Sequence, residues 1–225
     1  MPLSREEVSA GFVAELEDFE ALVRSLADDD LGAPTRCEGW SVGDVAAHVI
    51  GTMADVAAGR LDGQGTPEVT RRQVEERRGR TAAELADELA GARKAGADLL
   101  AVFDDDAWQV PAPGGYEGTL GDGVEALWYD SFLHADDIRA ALGRRSVTTG
   151  AGLKASVSHV TFELAKRGWG PATVALDGMP EFAVGESGGT GTPRIEGDPF
   201  DFVLAATGRA DPATVGLDGS VNIYA

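Results

Sequence analysis

The chain has 225 residues, enough to bury a sizeable core in one large domain or two modest ones. A formal net charge of −19 and an isoelectric point near 4.4 argue against nucleic acid as a partner and disfavour an anionic membrane surface. Hydrophobic residues at 43% and charged residues at 25% are ordinary for a globular protein, and no apolar run reaches the roughly 18 residues of a membrane span. The single cysteine, Cys37, rules out an internal disulfide framework. The acidic, amphipathic N-terminus has no signal-peptide core, so a reducing cytoplasm is the expected compartment.

Val8, Phe12, Leu16, Phe19, Val23 and Leu26 recur at helical intervals and predict a first helix over residues 4–26, opened by Ser4 and Glu7 at capping-box spacing. Gly and Pro then break the pattern. Ser41 predicts the cap of a second helix, with Asp44 at its third position and Trp40 placed to pack on Val45 as a hydrophobic staple. A cap fixes where a helix starts, and so which way His48 points: to the edge of the stripe formed by Val42, Val45, Val49, Met53 and Val56. Residues 59–80 are polar and carry Arg71, Arg72, Arg77, Arg78 and Arg80, the one basic cluster of an acidic chain. One expectation is a solvated segment paired with Glu75 and Glu76; the other is a patch that steers an anionic substrate.

Thr81 and Glu84 open a third helix through Leu85, Leu89, Ala92, Leu99 and Phe103. Trp108 and Tyr116, in the loop that follows, are expected to plug the end of a bundle. A fourth helix covers residues 119–142 and stops at Gly143. Composition changes after Arg145, which divides the chain into residues 1–146 and 147–225. The second part predicts a helix over 151–167, strands at 172–176, 182–184 and 194–196, and a helix at 199–207. A closing hairpin of 215–217 and 221–224 is expected around Asp218-Gly219. Residues 187–192 read as a flexible turn without the spacing of a phosphate loop. His159 is expected to be structural or at the surface, and Trp128 and Trp169 to serve packing.

Asp130 and His134 are four residues apart, so both project from one helix face, and Leu127, Ile138 and Ala141 turn that face inward. His48 is inward on another helix. Two histidines and one carboxylate facing each other in a bundle can hold a divalent metal and leave a coordination position open. A plain Asp–His pair one turn apart is the alternative. Asp137 follows His134 by three residues, where it can accept the other imidazole N–H, as metal-bound histidines usually require. Two nitrogens and one oxygen suit zinc, though nickel, iron or manganese also fit. Cys37 is expected to pack as a small apolar residue rather than act as a nucleophile.

The segment CEGWSVGDVAAHV, the spacing of Asp130, His134 and Asp137, and the late GDPFDFVLAATGRADP together resemble the mycothiol-dependent maleylpyruvate isomerase family of the DinB-like superfamily, over nearly the whole chain. The resemblance implies an α+β protein, a DinB-like four-helix bundle followed by a small sterol-carrier-like α+β domain. It implies that His48, Asp130 and His134 correspond to the metal triad, normally zinc, and that mycothiol is the thiol cofactor. It further implies that Arg209 corresponds to the C-terminal arginine that reaches the active site, with a catalytic and cofactor-binding role. Where that isomerase carries Glu this chain has Asp130, one methylene shorter. The implied activity is metal-dependent thiol chemistry on a small electrophile, as an S-transferase or a cis–trans isomerase. Two alternatives stay open: a non-catalytic binder of an apolar ligand with a structural metal, and a metal-dependent hydrolase.

Overall fold

The computed structural model describes residues 3–185 and 192–224. In chain order the helices of the first part are α1 (Arg5–Arg24), α2 (Val42–Ala57), α3 (Pro67–Glu75), α4 (Ala82–Leu100), α5 (Asp105–Trp108) and α6 (Leu120–Ala141). The four long ones each open on a reciprocal cap: Ser4 with Glu7, Ser41 with Asp44, Thr81 with Glu84, and Thr119 with Asp122. Each cap satisfies backbone N–H groups that a helix start leaves without partners. The chain divides into two compact units, one spanning Ser4–Val147 and one built on Thr148–Ala225.

In the first unit α1 and α2 each pack against both α4 and α6, giving a four-helix bundle. Phe12, Phe19, Val45, Ile50, Leu85, Leu89, Leu133 and Ile138 fill its core. Trp128 lies against Gly11, where an added side-chain carbon would overlap the indole, and its Nε1 donates to Glu15 Oε2 at 3.4 Å. Trp108 is buried against the backbone of Gly121, the plug expected of it. The third helix is shorter than its pattern suggests: α4 stops at Leu100, and Leu99 is 43% exposed.

Residues 59–80 keep part of the first expectation, with Arg71, Arg78 and Arg80 exposed and Arg72 paired with Glu76, and depart from it at Arg77, which is buried. They contain α3, which packs on α2, and Gly51 permits the approach: a carbon added there would come within 2.6 Å of Gln73 Cβ. Asp55 of α2, fully buried, accepts from Arg60, Gln64, Arg72 and Gln73. Arg77 is 4% exposed and forms a bidentate pair with Glu88 of α4. Arg72 does reach Glu76, but two of the five arginines are spent on interior contacts that clasp α3 to its neighbours.

The second unit comprises α7 (Ala151–Lys166), β1 (Ala172–Leu176), β2 (Phe182–Val184), β3 (Arg194–Gly197) and α8 (Pro199–Ala206). The sheet order is β2-β1-β3, with β1 antiparallel to β2 (Val174 opposite Phe182) and parallel to β3 (Val174 opposite Ile195). Ala172, Val174 and Leu176 alternate inward along β1, and α7 packs on α8 and β2. His159 and Trp169 both belong to this unit, His159 buried and Trp169 half-buried, with its Nε1 donating to Ser220 Oγ. The expected closing hairpin is absent among the described residues. Asp211 and Asp218 instead cap single 3-10 turns, Pro212–Val215 and Gly219–Val221, and Ile223 N–H returns to Ala206 C=O. Asp218-Gly219 is therefore a cap, because the Asp218 carboxylate takes the Ser220 N–H that a hairpin turn would leave to the ladder. Of the turn expected at residues 187–192, all but Thr192 lies outside the described residues. No helix among the described residues is long and apolar enough to cross a membrane.

Candidate metal centre

The Ser41 cap fixes the phase of α2 and brings His48 to the boundary with α6, where Asp130 and His134 sit one turn apart. His48 Nε2 lies 3.5 Å from Asp130 Oδ2, and His134 Nε2 lies 3.4 Å from Asp130 Oδ1. One ligand atom from each of the three residues falls within 4.8 Å of the others. The two imidazoles meet edge to face with centroids 5.2 Å apart. Trp40, expected as a staple on Val45, lies half-buried with its ring 5.2 Å from that of His48 and 6.3 Å from that of His134, stacked on the latter.

His134 is held from behind. Its Nδ1 lies 2.8 Å from Asp137 Oδ2, and because a carboxylate only accepts, that nitrogen carries a proton. In the neutral ring Nε2 then faces Asp130 with a lone pair, so acceptor meets acceptor and the gap calls for a positive charge. Without a metal, a proton fills that role. Burial opposes ionisation of Asp130, yet His134 and His48 hold its carboxyl well below the usual range. Burial likewise opposes charging of His134, yet Asp130, Asp137 and Cys37 push its imidazole well above the usual range. His48 Nδ1 is buried without a hydrogen-bond partner among the described residues, unlike His134 Nδ1. Two nitrogens and one carboxylate oxygen, converging on a gap that attracts a cation, fit a divalent ion.

Three further residues complete the surroundings, and periodicity gave no hint of them. Cys37 Sγ lies 3.2 Å from Asp137 Oδ2, so the thiol is a polar partner of the site and not the apolar filler expected. Arg36 donates to Asp137 Oδ1 and to Asp136 Oδ2, both at 2.6 Å. Cys37, His134 and Asp137 also have ligand atoms within 4.8 Å of one another. That second cluster is already internally bonded, since Asp137 is engaged by Arg36, His134 and Cys37. The first cluster is joined by the longer contacts of Asp130 to the two imidazoles. Arg209 belongs to the C-terminal unit, half-buried just after α8, with its backbone N–H bonded to Leu204 C=O.

The first unit is thus a four-helix bundle with a His–His–carboxylate cluster between two adjoining helices. The chain belongs to the family described as mycothiol maleylpyruvate isomerase N-terminal domain, which matches residues 12–139, from α1 into α6. Two solved structures share the fold: a mycothiol-dependent maleylpyruvate isomerase, with TM-score 0.69, and a histidine-to-alanine mutant of such an enzyme, with TM-score 0.66. Each is 15% identical, with 96% of this chain and 96% of that chain covered. This chain is α+β, a helical bundle followed by a unit with a three-stranded sheet. No curated protein matches.

Proposed function

We propose that the protein is an enzyme that uses mycothiol as nucleophile or cofactor on a small electrophile, in the manner of maleylpyruvate isomerization or of S-transfer, with zinc held by His48, Asp130 and His134. Membership of the mycothiol maleylpyruvate isomerase N-terminal domain family supports this reading, as does a fold shared with structures titled as that isomerase. The observation that carries it is the convergence of three ligand atoms on a gap where acceptor faces acceptor.

A bound divalent cation would stabilise a thiolate at neutral pH, supplying a nucleophile that no protein cysteine need provide. His48 and His134 contribute neutral nitrogens, and Asp130 contributes the negative charge. Asp137 keeps the proton of His134 on Nδ1. Trp40 walls one side of the two imidazoles. Arg209 is assigned to a substrate or cofactor carboxylate, whose two oxygens match the guanidinium fork. In the isomerase manner the thiol adds to an activated double bond, the carbon–carbon bond rotates as a single bond, and the thiol leaves with the double bond re-formed. In the transferase manner the thioether is released. A reducing cytoplasm suits a free thiol substrate and the free Cys37.

The test is turnover of maleylpyruvate and of monobromobimane by the zinc-loaded full chain, with and without mycothiol. Turnover of either that needs both zinc and mycothiol is expected, with Arg209→Ala raising KM for the carboxylate substrate by about tenfold or more. Zinc-dependent turnover without thiol would favour a hydrolase, and tight zinc binding without any turnover would favour a binding module.

A further inference from the structure

The loop before α2 does more than connect. Thr35 Oγ1 donates to Trp40 C=O at 2.8 Å, Thr35 N–H bonds to Trp40 C=O, Trp40 N–H bonds to Cys37 C=O, and Val42 N–H bonds to Ala33 C=O. Gly39, at φ +79°, supplies the left-handed residue that closes this turn. Arg36 therefore projects from a braced loop rather than from a free strand of chain. Its side chain is 27% exposed, but the two carboxylates it reaches are 1% and 0% exposed. It spans them as a fork, Nη2 to Asp136 Oδ2 and Nε to Asp137 Oδ1, each at 2.6 Å. Asp137 passes the constraint on: with Oδ1 held by Arg36, its Oδ2 is turned to His134 Nδ1 at 2.8 Å.

We infer that Arg36 is a positioning residue for the candidate metal centre, acting through Asp137 to hold the His134 ring with Nδ1–H behind and Nε2 toward His48 and Asp130. The inference rests on the metal-binding reading above. Asp136 and Asp137 are adjacent, buried and alike in charge, so without the guanidinium they would repel and swing apart, and the hydrogen bond that aims His134 would go with them. A lysine cannot replace the fork, because one ammonium on a flexible stem does not fix two carboxylates at once. Cys37 shares Asp137 Oδ2 with His134 but brings no charge, so it cannot do this work in place of Arg36.

The experiment uses the full chain and has two readouts. In the metal-free protein, proton NMR of the imidazoles should show a downfield, exchange-protected His134 Nδ1–H. Arg36→Gln should lose that protection, and Arg36→Lys should recover part of it. Zinc affinity, measured by competition with a chromophoric chelator, should fall about ten- to a hundredfold in Arg36→Gln and less in Arg36→Lys. The inference is overturned if wild type shows no protected Nδ1–H, or if Arg36→Gln keeps it. It is overturned equally if wild type binds zinc and Arg36→Gln binds it as tightly. Should Arg36→Gln not fold, the wild-type resonance and Arg36→Lys decide the matter. A wild type that binds no zinc sinks the metal reading, and the Nδ1–H resonance then judges the role of Arg36 alone.

Discussion

Asp55 and Asp130 are both inward carboxylates on bundle helices, yet the two regions treat them differently. Asp55 accepts from Arg60, Gln64, Arg72 and Gln73 at 2.6 to 3.2 Å. Asp130 meets two imidazole nitrogens at 3.4 and 3.5 Å. Burial works against ionising Asp55, but Arg72, Gln73, Arg60 and Gln64 together hold it well below the usual carboxylate range. A buried acid saturated by fixed donors is a clasp, and it leaves nothing for a ligand to supply. An acid met at longer range by two imidazoles keeps lone pairs to spare, and those are what the proposed metal would use.

The largest effect should come from breaking the clasp. Asp55→Ala leaves the Arg72 and Gln73 donors facing a void, and we expect a loss of about 3–5 kcal/mol in urea unfolding with zinc stoichiometry unchanged. Glu15 sharpens the comparison as a third buried carboxylate, with a single distant donor among the described residues in Trp128 Nε1. Here burial wins over the Trp128 hydrogen bond, and its carboxyl is pushed up from the ordinary 4.5 to about 7. Between those values the folded state keeps a proton that the unfolded chain has lost, so stability falls as pH rises through that window and stays low above it. Glu15→Gln should remove this slope and stabilise the protein by up to about 3 kcal/mol at pH 8, with little change below pH 4.5; unfolding midpoints at both ends check it. Asp130→Asn should have the smallest effect on folding. With chelator present we expect a change of about 1 kcal/mol in urea unfolding, because its contacts are long, while zinc binding is lost.

The sequence made the triad legible because helices are periodic and caps set their phase. Ser41 and Asp44 fix the start of α2, and the four-residue spacing of Asp130 and His134 needs no tertiary information. The same logic reached Asp137 as the partner of His134 Nδ1. Asp55 was within reach and missed: it follows His48 by seven residues, two turns along the same face of α2, but an acidic residue in an acidic chain draws no notice. Arg77 was missed for the converse reason, since arginine is usually solvated and nothing local marks Glu88 as its buried partner. Arg36 and Cys37 lie in a loop about a hundred positions from Asp137, and no period links a loop to a helix face. A signal existed even so: adjacent acids on the inward face of α6 demand a cation from elsewhere in the chain.

Two overlapping clusters offer ligands to the proposed ion. Zinc content of the purified full chain and of four variants separates them most directly. The account predicts about one equivalent in wild type and in Cys37→Ser, and loss of that equivalent in His48→Ala, Asp130→Ala and His134→Ala. Zinc kept by His48→Ala and lost by Cys37→Ser would contradict it, moving the ion to Cys37, His134 and Asp137.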